Sequence, residues 1–367
     1  MQPETQRNAT LVLPQPSTTL RKGSDPFGDQ RAASNRRAAR GRALLLRARS
    51  REDVGMTQDL VTAATADDAQ AVAEVVGALE SSLYRGSSFT QADLEGEWSE
   101  LDLDLDRDTR VVRDGGRVVA YCAIQQRRDP WRVEAYVHPD AHGRGVGRLL
   151  AETLEQLAAG GGASRIQNTV LEADSAAGVL LESLGYRVVR VFREMRIELD
   201  GPPAAPEWPA DLRVGPFDRE RDARAFHAAH QEAFADHWDF TPFDFESWSR
   251  MHVEGERFDP GLWTVVRSGD EIVAGAVCTG DTYGGGFVHA VFTRRPWRRR
   301  GLGAALLADS FRRLWDLGER SVGLGVDAES DTGAFRLYER AGMSPALGWL
   351  VYEKPLGRAR ENAPQRL

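Results

Sequence analysis

A glycine-rich turn between a strand pattern and a helix pattern carries the clearest chemical signal in this 367-residue sequence. Residues 298–304 read Arg-Arg-Arg-Gly-Leu-Gly-Ala, after an apolar stretch at 287–292 and before an amphipathic stretch that ends near Leu317. Because Gly301 and Gly303 lack a Cβ atom, the backbone N–H groups of the helix start can approach an anion closely. The spacing matches neither a P-loop nor a dinucleotide-binding fingerprint. The turn predicts a cradle for a pyrophosphate, although a tight turn without a ligand could carry the same glycines.

A looser copy of this turn lies about 155 residues earlier, with Gly145 and Gly147 in the glycine positions and His142 before them. The segments around both turns repeat in one order: strand, helix, hairpin, strand, glycine turn, helix, strand, helix and closing strand. Self-similarity at such a period indicates a duplicated domain. We therefore predict an α/β (mixed α+β) fold class with two tandem domains, each a mixed, mostly antiparallel sheet with helices on both faces.

Changes in composition along the chain place the domain boundaries. Residues 1–55 hold eleven basic against five acidic side chains and little to bury, so we predict a disordered Arg-rich tail, with Met56 as a candidate natural start. The first domain is predicted over residues 56–200 and the second over 210–357. A stiff Pro-rich linker at 201–209 joins them, and a disordered tail follows at 358–367.

The charge of the body excludes several classes of partner. The formal net charge is −8, and residues 56–367 hold 36 basic against 50 acidic side chains. Such a body repels nucleic acid and anionic membranes, and no apolar run reaches the roughly 18 residues that span a bilayer. The two cysteines, Cys122 and Cys278, cannot make a disulfide framework. We expect a cytoplasmic monomer with neither nucleic acid nor membrane as a partner.

The second-half turn and a segment that follows it resemble the GNAT superfamily of acetyl-CoA-dependent N-acetyltransferases. The family's acetyl-CoA loop reads R/Q-x-x-G-x-G/A, which residues 298–303 match in full. Residues 331–343, Asp-Thr-Gly-Ala-Phe-Arg-Leu-Tyr-Glu-Arg-Ala-Gly-Met, resemble the family's N-x-x-A-x-x-L-Y-E-x-x-G-F, with Asp331 for Asn and Met343 for Phe. The resemblance covers about residues 58–357 and implies two tandem GNAT folds.

The resemblance implies roles for residues of the second half, which we expect to be the catalytic one. In the family, the strand before the loop holds the pantetheine chain and polarises the thioester carbonyl, and the loop binds the pyrophosphate. The phenol of Tyr338 is implied as the acid that protonates the departing thiolate, although a helix tyrosine could also be a core aromatic. The implied acetyl-CoA site comprises Val291, Phe292, Thr293, Arg298, Arg299, Arg300, Gly301, Leu302, Gly303, Ala304 and Asp331.

The first half keeps the loop but lacks the acid, because Leu181 stands at the place of Tyr338. We therefore expect this half to be degenerate and to transfer acetyl slowly or not at all. Its loop is still a candidate for a second acetyl-CoA site, at Val137, Arg144, Gly145, Val146 and Gly147.

Two residues are candidates for the general base that deprotonates the amine. His289 lies in the apolar strand pattern, on the face of Phe287, and an imidazole is suited to titrate near neutral pH. Glu232 belongs to a segment at 230–242 that borders the acceptor pocket in relatives. A strand histidine is often only packed, and many relatives use a water chain, so the base stays open. The carboxylates at 327–331 are typical of a helix cap, so we expect no metal.

These observations favour an acetyl-CoA-dependent N-acetyltransferase, an acyltransferase that moves acetyl directly to a primary amine of a small molecule. The tandem shape, and an arginine bias typical of actinobacterial genomes, also resemble the mycothiol synthases, which acetylate the cysteinyl amine of a pseudo-disaccharide. Against that alternative, Phe287 is not an acid and the strand at 272–279 has no lysine. A non-catalytic acetyl-CoA sensor or scaffold is an alternative of another class, which Tyr338 argues against. An acidic surface around the second pocket would favour a cationic amine.

Overall fold

The computed structural model describes residues 61–84, 89–126, 129–240, 242–255, 258–282, 284–330 and 333–356. The predicted tails at 1–55 and 358–367 lie outside the described residues. The first half contains β1 (Val61–Thr62), α1 (Ala69–Leu83), α2 (Gln91–Glu100), α3 (Leu105–Asp108), β2 (Thr109–Asp114), β3 (Arg117–Gln125), β4 (Trp131–Val137), α4 (Val146–Gly160), β5 (Arg165–Leu171), α5 (Ser175–Ser183) and β6 (Arg187–Glu198). The second half contains β7 (Arg213–Pro216), α6 (Arg219–Phe234), α7 (Phe245–His252), β8 (Thr264–Ser268), β9 (Glu271–Thr282), β10 (Gly285–Thr293), α8 (Leu302–Leu317), β11 (Ser321–Asp327), α9 (Ala334–Arg340) and β12 (Ser344–Pro355).

Helices α2, α3 and α7 are additions to the predicted order, which has one helix before each hairpin. Thr90 and Asp93 form a capping box at the start of α2. At the start of α7, the Asp244 carboxylate accepts a 2.7 Å hydrogen bond from the backbone N–H of Ser247. These helices are short, and the apolar periodicity of α2 is weak. The caps are the local signal by which they can be found in the sequence.

The strands form one 12-stranded sheet in the order β1-β2-β3-β4-β5-β12-β6-β11-β10-β9-β8-β7. Two neighbouring pairs are parallel, β4 with β5 and β10 with β11. The other pairs are antiparallel. The predicted fold class, mixed α/β with a mostly antiparallel sheet, is confirmed.

The closing strands of the two halves are exchanged. β12, from the second half, lies between β5 and β6, and β6, from the first half, lies between β12 and β11. In this register Val351 of β12 is opposite Thr169 of β5 and Arg190 of β6. Each half therefore covers an open strand edge of the other. The stretch at 201–209 divides the halves along the chain, but the sheet is continuous across them, and Trp208 packs on the core of the second half.

Helices pack on both faces of the sheet because strand side chains alternate between the faces. In β3, Cys122 and Ile124 share a buried cluster with residues of α4, whereas Tyr121 and Ala123 share one with residues of α1 and α2. The thiols of Cys122 and Cys278 are both buried and unbonded to each other. No helix within the described ranges has the length and hydropathy of a membrane-spanning segment.

Two equivalent ion pairs mark the duplication in three dimensions. Arg113 binds Asp68 in the first half and Arg267 binds Asp222 in the second, each over an N–O distance of 2.6 Å. In both halves the carboxylate lies at the beginning of the first helix and the guanidinium lies on the first strand of the hairpin. The pair therefore fixes the helix to the hairpin in the same way twice.

Candidate active site

A cavity of about 860 Å³ lies in the second half, where β10 and β11 separate. The ladder between these parallel strands ends at Val288 and Leu324, whereas the strands continue to Thr293 and Asp327. The gap is lined by both strand ends, by the glycine turn and by residues of α6, α7 and α9. On this side, the backbone of β10 beyond Val288 therefore faces a cavity instead of a neighbouring strand.

A β-bulge at His289 accompanies the separation of the strands. Val288 and Ala290 pair with consecutive residues of β9, which makes His289 the extra residue of the bulge. A bulge bends its strand and redirects the side chain of the extra residue. His289 is among the residues that line the cavity, and its Nε2 lies 2.8 Å from the hydroxyl of Thr279. Its centroid is 5.0 Å from that of Phe287, in keeping with the predicted shared face.

The glycine turn forms the start of α8 and faces the cavity. Gly301 precedes the helix with a φ of +80°, and within the described ranges no side chain caps the first amides. An uncapped helix start offers N–H donors to an anion. Gly303 has a second role, because a Cβ atom there would lie 2.9 Å from Cδ2 of Leu337 in α9. The same glycine thus lets α8 and α9 pack closely.

The arginines of the turn differ in what they bind. Arg298 donates a 3.2 Å hydrogen bond to the carbonyl oxygen of Thr293 and another to a carbonyl near the end of α6. Arg300 binds Asp211 at 2.7 Å. Arg299 is exposed, lines the cavity and has a φ of +64°. Arg298 and Arg300 therefore hold the turn in place, and Arg299 is the arginine best placed to meet an anionic ligand.

The Tyr338 side chain lies in the same cavity, on α9. It is only 9% exposed, and burial raises the pKa of its phenol to about 12. The phenol therefore keeps its proton at neutral pH and can act as a proton donor to a strongly basic group. The structure brings together the phenol, the glycine turn and the end of β10, as the motifs predict.

A buried histidine and a partly buried one form part of the wall on the side of α6 and α7. His230 and His252 both line the cavity, with ring centroids 6.4 Å apart, and burial lowers the pKa of each to about 3. Both rings are therefore neutral at physiological pH. Among the residues predicted from sequence, His230 appears only as the first residue of the segment at 230–242, without a role, and His252 does not appear. For His230 a signal exists, since it continues the apolar helix face of Phe226 and Phe234 at intervals of four residues. His252 lies on α7, which was not predicted.

The structure does not bring Glu232 into the site. Its carboxylate binds the Arg294 guanidinium at 2.7 Å on the exposed side of α6, and Glu232 is absent from the residues that line the cavity. From the same segment, His237, Trp238 and Phe240 do line it. The Glu232 prediction fails because neighbouring positions on a helix face different directions. Asp331 lies outside the described residues.

The charges that line the cavity differ from the acidic surface that the net charge suggests. Among the described lining residues Asp327 is the one carboxylate, whereas Arg298, Arg299 and Arg340 are basic. Asp327 is bound at 2.6 Å by Arg190, which belongs to β6 of the first half. Over the described residues, no group of three or more His, Cys, Asp or Glu side chains is placed to hold a metal ion.

The first half repeats the geometry of the turn without the acid. Gly145 precedes α4 with a φ of +84°, and a Cβ atom on Gly147 would lie 3.0 Å from Cδ2 of Leu180. His142 Nε2 lies 3.0 Å from the carbonyl oxygen of Val137, the same bond that Arg298 makes in the second half. Leu181 is buried at the place of Tyr338.

Comparisons of the sequence agree with this geometry. The acetyltransferase (GNAT) family model matches residues 223–343, and an acetyltransferase (GNAT) domain model matches residues 106–188. The mycothiol acetyltransferase of Thermobispora bispora is 33% identical over 250 residues, which cover 64% of this chain and 79% of that protein. The mycothiol acetyltransferase of Nocardiopsis dassonvillei is 29% identical over 282 residues, which cover 70% of this chain and 83% of that protein.

Comparisons with solved structures give the same result. A GCN5-related N-acetyltransferase from Sphaerobacter thermophilus superposes with a TM-score of 0.71 and 33% identity, over 81% of this chain and 95% of that one. A tandem GNAT protein from the clavulanic acid biosynthesis pathway superposes with a TM-score of 0.63 over 82% and 99%, and at 18% identity this likeness concerns the fold alone. The chain therefore belongs to the GNAT acetyltransferase family, as a member that contains the fold twice in tandem.

Proposed function

We propose that the second-half cavity is the active site of a mycothiol acetyltransferase. Membership of the GNAT family implies acetyl-CoA as the co-substrate, and the proposed acceptor is the cysteinyl amine of cysteinyl glucosaminyl inositol. One observation carries the placement of the site: a single cavity holds the uncapped helix start, the separated end of β10 and the Tyr338 phenol. The similarity to curated mycothiol acetyltransferases supports the choice of acceptor over an unspecified amine.

The residues around the turn fit the parts of acetyl-CoA. The amides at the start of α8, with Gly301, Leu302, Gly303 and Ala304, would bind the pyrophosphate, and Arg299 would meet a phosphate oxygen. Arg298 and Arg300 would act by holding the turn. Val291, Phe292 and Thr293 lie beyond the last ladder contact with β11, so their backbone groups on that side can bond an extended pantetheine chain.

The proposed chemistry is direct attack of the amine on the thioester. Nitrogen forms a bond to the carbonyl carbon, His289 accepts the proton that the amine loses, and the C–S bond then breaks. Tyr338 donates its phenolic proton to the departing thiolate sulfur. Because the pKa of this phenol is high, the proton is still on Tyr338 when the C–S bond breaks. His289 lies at the bulge and is among the residues that line the cavity.

The first half keeps a turn of the same shape, which supports a second, non-catalytic acetyl-CoA site. Its residues would be Val137, Arg144, Gly145, Val146 and Gly147. Arg144 binds Asp114, as Arg300 binds Asp211 in the second half. A molecule bound there would not be turned over, because Leu181 has no proton to donate.

An assay of purified protein against a panel of amines tests the proposal. The panel comprises cysteinyl glucosaminyl inositol, polyamines, aminoglycosides and peptide N-termini. Product should be followed by mass spectrometry, because the cysteinyl acceptor has a thiol of its own that confuses detection of released CoA. We expect kcat/KM to be highest for cysteinyl glucosaminyl inositol by about a hundredfold. A clear preference for another amine contradicts the acceptor, and acetyl-CoA binding without any turnover supports the sensor alternative.

A further inference from the structure

The His230 imidazole is a buried polar group that the proposed chemistry does not use. It is 7% exposed, lines the cavity, and its Nδ1 has no hydrogen-bond partner within the described part of the chain. A buried polar atom without a partner costs stability. A protein keeps such a destabilising buried atom where the atom forms a hydrogen bond with a bound ligand.

The surroundings of His230 define what kind of group it can meet. Its ring contacts Phe234, Phe243 and Phe292, with ring centroids between 4.6 and 6.4 Å away. Asp327 is the one carboxylate among the described lining residues, and Arg190 neutralises it. Without an available carboxylate among the described lining residues, this wall offers no counter-charge to a cationic substituent. A neutral imidazole can donate and accept, and so suits a neutral hydroxyl or thiol.

The way in which His230 is held supports a fixed recognition role. On the same helix, His227 Nε2 lies 2.9 Å from the carbonyl oxygen of Phe243, and Gln231 accepts a 3.2 Å hydrogen bond from the backbone N–H of Phe243. These two bonds fix the segment after α6 against the helix on either side of His230. The ring therefore lies in a wall whose backbone is already ordered.

We propose that His230 is a specificity-determining residue, whose imidazole hydrogen-bonds a neutral hydroxyl or thiol of the acceptor. This inference rests on the proposed function for its acceptor, and it adds the part of that acceptor that the wall of α6 recognises. It also gives an acceptor contact in a chain where Phe287 is buried in the core and cannot supply one.

The test compares His230→Phe with His230→Asn and His230→Gln, whose amides place a polar atom near Nδ1 and Nε2 respectively. The matched control is His138→Asn, a histidine of the first half outside the cavity. We expect His230→Phe to raise the KM for cysteinyl glucosaminyl inositol about tenfold. The KM for acetyl-CoA should not change, and the melting temperature should stay the same or rise. One of the two amide variants should recover most of the loss. His138→Asn should resemble the unaltered protein.

Analogues of the acceptor distinguish the two sources of the hydrogen bond. If the thiol is the partner, the penalty of His230→Phe disappears with alanyl glucosaminyl inositol and persists with the seryl analogue. If a sugar or inositol hydroxyl is the partner, the penalty persists with both. An acceptor KM that His230→Phe leaves within about twofold overturns the proposal, as does a parallel rise in both KM values with a lower melting temperature.

Binding without turnover separates this inference from the proposed function. Calorimetry measures the Kd of cysteinyl glucosaminyl inositol for the unaltered protein and for His230→Phe, each in the presence of CoA. The ratio of the two Kd values then replaces the ratio of KM values. Binding that His230→Phe weakens, in a protein that does not acetylate the probe, supports the recognition role and contradicts the proposed reaction. Absence of binding by the unaltered protein overturns both.

Discussion

The two halves carry the same glycine turn and differ in what surrounds it. Where the second half has Tyr338, the first has Leu181, and where the second anchors its turn with Arg298, the first uses His142. The strand before the turn also differs: the ladder of β4 with β3 is continuous, whereas that of β10 with β9 has the bulge at His289.

This comparison shows which features belong to packing and which to chemistry. The second glycine of the turn lets two helices approach in both halves, because Gly147 meets Leu180 as Gly303 meets Leu337. A glycine that packing requires is kept whether or not a ligand binds. The phenol and the bulge occur in one half, and the proposed difference between a catalytic site and a binding site therefore rests on them.

The largest expected effect comes from filling the space at the second glycine. Gly303→Val should lower kcat/KM by about a hundredfold or more, because the new side chain displaces Leu337 and shifts the turn. Gly147→Val should cost similar stability, about 1–3 kcal/mol, but leave most of the activity. Steady-state kinetics and thermal unfolding of both variants provide the check. Greater damage to activity from Gly147→Val would reverse the assignment of the catalytic half.

Removal of the phenol should have the next largest effect. Tyr338→Phe should lower kcat by about tenfold or more while acetyl-CoA still binds. Because burial raises the pKa of Tyr338 to about 12, the proton is lost only as the pH rises through that value. The unaltered enzyme should therefore show no alkaline loss of kcat from this group over the usual assay range. Tyr186→Phe, a buried tyrosine of the first half, is the control, and equal rates for both variants would remove Tyr338 from the mechanism.

The bulge residue should matter less than the acid, because water can replace a base. His289→Ala should lower kcat by about tenfold, and added imidazole should restore part of it by entering the space that the ring leaves. His138→Ala should show neither the loss nor the rescue. A loss that imidazole does not restore would leave His289 with a structural role beside Thr279.

The smallest expected effect on activity tests the contribution of the first half to the cavity. Arg190→Met removes the partner of Asp327, and Arg190 also lies over the Trp238 ring at 5.6 Å. We expect about 3 kcal/mol lower stability, since a largely buried carboxylate loses its counterion, and an acceptor KM raised about threefold. Arg213→Met, from an exposed pair with Asp270, is the control. An unchanged acceptor KM would show that the first half only covers the sheet edge.

The parts of the site that lie close together in the chain could be predicted from sequence. The turn at 298–304 and the helix of Tyr338 are local patterns whose geometry follows from glycine and from helix periodicity. The bulge also leaves a trace, since Val133 corresponds to Val288 at a spacing of 155 residues and Val137 to Thr293 at 156. That shift of one residue within the repeat places the extra residue between Val288 and Thr293, and the strand register identifies it as His289.

The strand exchange and the histidine wall could not be predicted from these patterns. The closing strands β6 and β12 both combine apolar and polar residues, and nothing local decides which open edge each of them pairs with. His230 and His252 meet only after α6 and α7 pack together. Glu232 was predicted as a site residue because it lies in the segment that borders the cavity. The segment alone does not give the direction of its side chain, which binds Arg294 instead.

The exchange of β6 and β12 has a consequence for how the molecule comes apart. Loss of the second half would remove β12 from β5, and loss of the first would remove β6 from β11, so either event exposes a long hydrogen-bonding edge in what remains. We therefore expect the two halves to unfold as one cooperative unit, although they arose as copies of one domain. The first half, which lacks the proposed catalytic acid, would then still be required for the stability of the second half.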